Sequence, residues 1–303
     1  MRIGARNVSG TLRASGLHIS QGTLVLMKIA FFGDVVGKPG RSALRTHLPQ
    51  IKRQLSLDFV VVNAENAAGG FGLTEVIAKE MFEAGADCLT LGDHAWDQRE
   101  ALTYIERENR LLRPINYPPN TAPGRGAHLF VLPSGLRIGV IQVQGNVFMK
   151  QIMDNPFQAM DAALGDMPLG VVADAILVDM HCEATSEKMA MGHFCDGRAS
   201  LVVGSHTHVP TADHMILAGG TAYQSDAGMC GDYDSVIGMQ KENSIQRFAS
   251  QLPGQRYQPA LGEGTLCGLY VQIDVRTGLA EEVAPIRVGG RLSPRLPSIQ
   301  EGL

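Results

Sequence analysis

Two histidines separated by one residue, His206 and His208, sit within the stretch LVVGSHTHVPTAD at residues 201–213. The apolar run before them is short and Pro210 closes it, so it reads as a buried strand giving way to a loop. Four further runs of this kind end in side chains able to bind a metal. MKIAFFGD ends in Asp34, DFVVVNAEN in Glu65 and Asn66, DCLTLGDH in Asp93 and His94, and DAILVDMH in His181. In an open α/β sheet, ligands gather outside the carboxyl ends of the strands. Five such endings in sequence order argue for one shared site.

Asp34, Glu65, Asn66, Asp93, His181, His206 and His208 are hard or borderline oxygen and nitrogen donors. Together they exceed what one tetrahedral ion needs and suit two ions sharing a carboxylate. Glu65 is the natural bridge, since its strand reads as central and Asn66 follows it directly. His206 and His208 lie two apart, and for one imidazole to serve each of two neighbouring ions the loop must turn there. Such a pair favours displacement at phosphorus, because it lowers the pKa of a bridging water and stabilises charge on the attacked group's oxygens. His94, one residue past Asp93, is placed to act as general acid to the departing oxygen.

Taken singly, each of these residues has a plainer reading. Asp34 and Asp93 suit helix caps or turns, and His181 suits a hydrogen-bonded core position. Asn66 with the AAGGFG loop suits a turn, or a backbone N–H cradle for anionic oxygens at a helix start. The His206-Thr207-His208 pair is harder to dismiss, and its convergence with the other strand ends favours the metal reading. His18, His47, His128, His193 and His214 lack strand-end partners and read as structural or solvated. Lys38, Arg41 and Arg113 are candidate phosphate contacts that equally suit solvated loops. Asp226, Tyr233 and Asp234 carry no evident ligand role.

The elements that must position these groups alternate. GDVVGKPGRSALRTHLPQIKRQL is a glycine-rich turn and an amphipathic segment, interrupted at Pro49. AAGGFGLTEVIAKEMFEAGAD is a loop and a helix capped by Thr74 and ended near Gly85. WDQREALTYIERENRLL shows an apolar stripe of Leu102, Ile105 and Leu111-Leu112. Strand, loop, helix, strand is the signature of right-handed crossovers and a mostly parallel sheet. HLFVLPSGLRIGVIQVQG then reads as a hairpin, NPFQAMDAALGDM as a helix, and LCGLYVQIDVRTGLAEEVAPIRV as antiparallel strands turning at Arg276-Thr277-Gly278. The fold class expected is α/β, with two mixed sheets packed face to face and covered by helices. The loops between motifs are short and no large cap insertion is evident, so the site is expected to be open and shallow.

The composition, 45% hydrophobic and 18% charged over 303 residues, is that of an ordinary globular chain, and a net charge of −4 gives no support for DNA binding. No apolar run approaches the ~18 residues that a membrane span requires. Residues 1–27 carry Arg2, Arg6 and Arg13 and no acid, leaving 23 basic against 30 acidic residues beyond them. Residues 1–26 therefore read as a disordered or non-native extension, with Met27 opening the first strand, and residues 291–303 as a loose tail. The five cysteines are scattered, with no C-x-x-C pair, which fits a reducing cytoplasm. Cys182, beside His181, reads as packed, with a soft metal ligand as the alternative.

The chain resembles the calcineurin-like metallophosphoesterase superfamily, and within it the YmdB-like bacterial phosphodiesterase subfamily. The matching stretches are KIAFFGDVVGKPGR, VNAENAAGGFGLT, LTLGDHAWD, LLRPINYP, MDNPF, GSHTHVPTAD and DAGMCGDYDSVIGM, which span nearly everything from Met27 to about residue 290. The resemblance implies a single domain over 27–290, a four-layer α/β/β/α sandwich, and a dinuclear centre of iron or manganese. It implies hydrolysis of small phosphodiesters, cyclic nucleotides such as 2′,3′-cyclic mononucleotides included, and a homo-oligomer. Carried over by position, Asp34, Glu65, Asn66 and His208 hold one ion, Glu65, Asp93, His181 and His206 hold the other, and His94 takes the catalytic place. The superfamily's Asp-x-His start is absent, since Val36 stands two residues after Asp34. Asp93 occupies a position where the family commonly has Asn, adding a negative charge beside the metals. Two other functions remain open: a phosphomonoesterase or amide hydrolase, and a regulatory protein that binds metal and nucleotide with low turnover.

Overall fold

The computed structural model describes residues 25–151 and 153–298. The first half alternates as expected: β1 (Leu26–Phe32), α1 (Gly37–Gln54), β2 (Phe59–Asn63), α2 (Glu75–Glu83), β3 (Cys88–Thr90), α3 (Ala101–Arg107) and β4 (Leu111–Leu112). The hairpin of β5 (Ala127–Val131) and β6 (Arg137–Gln144) follows, then α4 (Pro156–Asp166), β7 (Ala175–His181), α5 (Thr185–Phe194) and β8 (Leu201–Ser205). The chain continues through β9 (Met215–Ile216), β10 (Ala222–Gln224), α6 (Lys241–Ser250), β11 (Leu266–Asp274) and β12 (Leu279–Val288). Local chemistry sets several of these boundaries. The Thr74 hydroxyl accepts from the Ile77 N–H to start α2, and Asn155 caps α4 with Pro156 in its first turn.

These strands form two six-stranded mixed sheets, in the orders β12-β11-β1-β2-β3-β4 and β5-β6-β7-β8-β10-β9. In the first, β11 pairs antiparallel with both β12 and β1 beside the parallel run β1-β2-β3-β4, and in the second, antiparallel β5 and β9 flank the parallel run β6-β7-β8-β10. Alternation along the strands sorts the core into layers. Met27, Ile29 and Phe31 of β1 face Val140, Leu177, Leu201 and Val203 of the other sheet. Ala30, Phe32, Val60 and Val62 point the other way, beneath Leu44, Leu48 and Ala78 of α1 and α2. Ile141, Val143, Ile176 and Val178 pack in turn against Met160, Leu164 and Met191 of α4 and α5. Helix, sheet, sheet, helix is the four-layer sandwich, and burial on both faces explains why the central strands read as unbroken apolar runs.

Three local expectations are corrected. Pro49 does not interrupt α1 but lies inside it. Buried Leu44, Leu48 and Ile51 hold the helix to the sheet, and the carbonyl that Pro49 deprives of a donor belongs to exposed Arg45, where water can serve. Leu111 and Leu112 do not extend the stripe of α3 but form β4, paired in parallel with Leu89 and Thr90. Leu102 is an exposed side chain. Residues 233–261, which carry α6, bulge from the sandwich between β10 and β11, an excursion that the short motif spacing did not announce.

Of the expected leading extension, residues 1–24, with Arg2, Arg6, Arg13 and His18, lie outside the described residues, while Leu26 already opens β1. Of the expected tail, residues up to 298 are described, and Arg295 exchanges backbone hydrogen bonds with Arg287. All five cysteines are buried and free; burial pushes the thiols of Cys195 and Cys267 up to about 12. No helix among the described residues is long and apolar enough to cross a membrane.

Candidate metal centre

The parallel strands of both sheets deliver their carboxyl ends to one edge of the sandwich. There the Asn63 amide donates to Asp179 Oδ2 at 3.1 Å and the Thr90 hydroxyl donates to the same oxygen at 2.6 Å, joining the sheets beneath the site. Asp34, Glu65, Asn66 and Asp93 approach from the first sheet, and His181, His206 and His208 from the second. Glu65, Asp93, His181 and His206 bring one ligand atom each within 4.8 Å of one another, as do Asp34, Glu65 and His208, so Glu65 belongs to both groups. Asn66 joins the second group, with its Oδ1 3.1 Å from His208 Nε2.

The two-histidine loop turns as this arrangement requires. His206 and His208 both have positive φ, 97° and 68°, a backbone that non-glycine residues seldom adopt. His206 Nδ1 thereby lies 3.2 Å from Asp93 Oδ1, and His208 Nε2 lies 3.2 Å from Asp34 Oδ2 in the other group. Asp226 holds the loop: its Oδ2 accepts from the Thr207 N–H at 3.1 Å and the Thr207 hydroxyl at 2.7 Å, and pairs with buried Lys188 at 2.7 Å. Gly92 supplies room for the cluster, since a Cβ there would collide with Glu65 Oε2 and His181 Nε2.

The donor set fits cations. His181 Nε2 and His206 Nδ1 point at each other, 3.2 Å apart, and His181 Nε2 also lies 3.2 Å from Glu65 and 3.1 Å from Asp93. Asp34 Oδ1 is buried without a partner. The outward nitrogen of each imidazole meets an acceptor. His181 Nδ1 lies 2.9 Å from Ser205 Oγ, whose own proton goes to Asp179 at 2.6 Å, so the ring carries its hydrogen on Nδ1 and presents a lone pair at Nε2. His208 Nδ1 donates to the Ile237 carbonyl at 2.8 Å, and His206 Nε2 lies 3.4 Å from Glu183. Anchoring the far nitrogen in this way orients metal-ligating histidines and fixes their tautomers.

The electrostatics agree. Burial opposes ionisation of Asp34 and Asp93, yet the facing imidazoles outweigh it, bringing Asp34 down to about 2 and holding Asp93 well below the usual carboxylate range. Burial likewise works against a charged His181, but Glu65 and Asp93 outweigh it and hold its pKa well above the ordinary value. The carboxylates thus favour positive charge at this spot, and the pKa values of His181 and His208 rise in answer to it.

His94 sits beside this cluster without entering either group. Its backbone N–H donates to Glu65 Oε2 at 3.2 Å, and its Nδ1 lies 2.7 Å from Asp97 Oδ2, while Nε2 stands 3.9 Å from Asp93 Oδ2. A cavity of ≈ 440 Å³ opens over Glu65, His94, His206 and His208, and Lys150 and Thr207 also line it. Phe71, Ile237, Met239, Phe248 and Tyr257 add apolar lining, so the site is less open and shallow than the loop lengths imply.

Other sequence candidates fall elsewhere. Arg41 donates to the Ala67 carbonyl and pairs with Glu80, Arg113 clamps the carbonyls of Pro114 and Pro123, and Lys38 lines a separate cavity with His47. The AAGGFG loop closes on itself, with the N–H groups of Ala68 and Gly70 donating to Gly72 and Asn66, so it is a turn rather than an anion cradle. Cys182 turns its sulfur to the Ala184 carbonyl. Tyr233 links the backbone at His208 to that at Met229, and Asp234 pairs with Lys241 and Arg291. Asp97, Asp179, Ser205 and Ile237 were not singled out by the sequence. Asp179 did leave a trace, as a carboxylate within a buried strand, two residues from His181 and hence on the same face.

The family profile described as YmdB-like protein matches residues 30–286. A 2′,3′-cyclic-nucleotide 2′-phosphodiesterase of Bacillus subtilis is 43% identical, over 86% of this chain and 97% of the relative. A putative phosphatase/phosphodiesterase of Mycoplasma pneumoniae is 34% identical, over 86% of this chain and 93% of its own length. Among solved structures, a hypothetical protein from Thermus thermophilus superposes with a TM-score of 0.81 at 40% identity, covering 88% of this chain and all of that one. A novel phosphatase from Mycoplasma pneumoniae reaches 0.82 at 33% identity, covering 88% and 94%.

Proposed function

This chain belongs to the YmdB-like protein family, and on that premise we propose that it is a metal-dependent phosphodiesterase acting on small cyclic nucleotides, 2′,3′-cyclic mononucleotides among them. The observation that carries the reading is the set of three imidazoles, each with one nitrogen aimed into a nest of carboxylates and, in His181 and His208, the other hydrogen-bonded behind it. Asp34, Glu65, Asn66 and His208 would hold one ion and Glu65, Asp93, His181 and His206 the other. Oxygen and imidazole donors without a thiolate suit manganese or iron. When bound, a pair of such ions supplies a lowered water pKa and a counter-charge for phosphoryl oxygens.

The remaining chemistry belongs to the chain. His94 offers Nε2 to the cavity, and Asp97 fixes its ring by accepting at Nδ1, so His94 delivers a proton to the departing ribose oxygen. Lys150 brings a positive charge to the cavity, where an anionic diester meets it. A cyclic phosphate is the fitting diester, because its leaving oxygen stays attached to the sugar and needs protonation more than a p-nitrophenolate does.

The test is a substrate panel on manganese-loaded protein, comprising 2′,3′-cyclic AMP, bis-p-nitrophenyl phosphate, a phosphomonoester and an amide. Turnover of the two diesters, abolished by chelation, is expected. Faster release of phosphate from the monoester, or cleavage of the amide, would move the chain to another hydrolase class. A fully metal-loaded protein that turns over no phosphoester would leave only the regulatory reading, which the extra charge of Asp93 favours.

A further inference from the structure

The excursion between Asp232 and Gly262 is tied off at its base by Asp232 Oδ2, which accepts from the Gly262 N–H at 2.8 Å. Its helix α6 buries only Ser244. Polar tethers hold the helix instead: Asn243 donates to the Gln255 carbonyl at 2.8 Å, and the Arg247 guanidinium lies 4.1 Å from the Tyr257 ring centre. A helix kept in place this way does not need its apolar side chains for the core. Even so, Phe248 stands on it 76% exposed and lines the cavity over the candidate metal centre.

Phe248 shares the cavity's lining with the apolar side chains of Phe71 and Ile237. Phe71 meets the His94 ring edge-on, with centroids 5.3 Å apart, so this lining begins within contact of the group assigned to the leaving oxygen. Ile237 extends it. This β-branched residue has a φ of 49°, a strained backbone that turns its carbonyl to His208 Nδ1 while its side chain stays 52% exposed in the cavity. A cavity of ≈ 440 Å³ falls in the range that holds a small ligand whole.

We propose that Phe248, Ile237 and Phe71 form a nucleobase subsite, with Phe248 as the stacking face, so that the enzyme recognises a nucleoside cyclic phosphate by its base as well as its phosphate. This rests on the phosphodiesterase reading, which places the phosphate at the carboxylate–imidazole cluster. A base attached through ribose to that phosphate has one apolar surface within the cavity to lie on. Stacking on an aromatic side chain accepts any base, so the subsite selects nucleosides over simple diesters without choosing strongly among bases.

The experiment compares kcat/KM for 2′,3′-cyclic AMP with that for a base-free methyl ribofuranoside 2,3-cyclic phosphate, in wild type, Phe248→Ala and Phe248→Trp. Loss of one stacking partner is expected to reduce the ratio about tenfold in Phe248→Ala, mainly through KM, and Phe248→Trp is expected to restore it. An unchanged ratio overturns the subsite while leaving the phosphodiesterase reading intact. So does a ratio unchanged while the oligomeric state shifts, since Phe248 would then face a second copy of the chain. Calorimetric binding of 3′-AMP against ribose 3-phosphate to the metal-loaded protein decides the question even without turnover. A preference for 3′-AMP that Phe248→Ala abolishes supports the subsite, and equal binding of the two ligands removes it.

Discussion

Ser205 hydrogen-bonds through its hydroxyl to one candidate cation ligand, His181, and decides what that ring can do. Its hydroxyl proton is committed to Asp179 at 2.6 Å, so its lone pair receives the Nδ1 hydrogen of His181 and the imidazole is left with Nε2 as the donor. Ser205→Ala should therefore leave the fold intact while weakening metal binding roughly 10- to 100-fold, measured by competition with a chelating dye. Unaltered affinity would show that packing alone orients the ring. Asp97 stands in the same relation to His94. Asp97→Asn should lower kcat for 2′,3′-cyclic AMP by about 10²-fold, the low end of what proton transfer contributes. The loss should be much smaller for bis-p-nitrophenyl phosphate, whose leaving group needs no proton, and an equal loss on both would remove the acid from His94. These two cases mark the limit of what was legible. A ligand announces itself by type at a strand end, as His181 and His206 do. Its partner is an ordinary serine or aspartate whose meaning comes from distance: Asp179 and Thr90 lie far apart in sequence but only 2.6 Å apart in space.

At the scale of elements, the loop from β8 to β9 had a geometric problem visible in the sequence, since residues two apart in a strand share a face and neighbouring ligands still had to reach two groups. Two left-handed backbone conformations solve it. Such conformations cost of order 1–3 kcal/mol each and persist only where the surroundings over-determine them. Asp226 is the restraint: it binds Thr207 between the two histidines and pairs with Lys188 of α5, both charges being almost wholly buried. Removing one member strands the other, so Asp226→Ala should destabilise the protein by about 3–5 kcal/mol in urea titrations. Thr207→Val, which keeps the ion pair, should stay folded and bind metal more weakly. If Thr207→Val binds metal as tightly as wild type, the loop is held by something else. The parallel strands, the β5–β6 hairpin and the Thr74 cap were readable because each rests on local chemistry. β4 and the continuity of α1 through Pro49 were not, because neighbouring elements decide whether Leu111 pairs with a strand and whether a carbonyl beside Arg45 can turn to water. The α6 excursion escaped for a related reason, its helix being held by tethers rather than by an apolar stripe.

Seen as a whole, the molecule closes two sheets over an apolar layer and leaves their carboxyl edge to charged groups. Asp34, Glu65, Asn66 and Asp93 come from one sheet, and His181, His206 and His208 from the other, so each candidate ion would be held from both sides of the sandwich. Cations here would act as staples between layers as well as reagents, answering the charge of the carboxylates. Anything that binds the native state alone stabilises it by mass action, about 2.7 kcal/mol at a hundredfold excess over Kd. For a domain of this size each kcal/mol moves Tm by roughly 2–4 °C. Manganese at that excess should therefore raise Tm by roughly 5–10 °C over chelated protein. His181→Asn, which removes a ligand on the second sheet, should lose most of the increment. Glu183→Gln, beside His206 but exposed, should keep most of it, because it leaves both ligand groups in place. A Tm indifferent to chelation, in protein shown by elemental analysis to pass from loaded to empty, would mean that the sheets hold the site and the site does not hold the sheets.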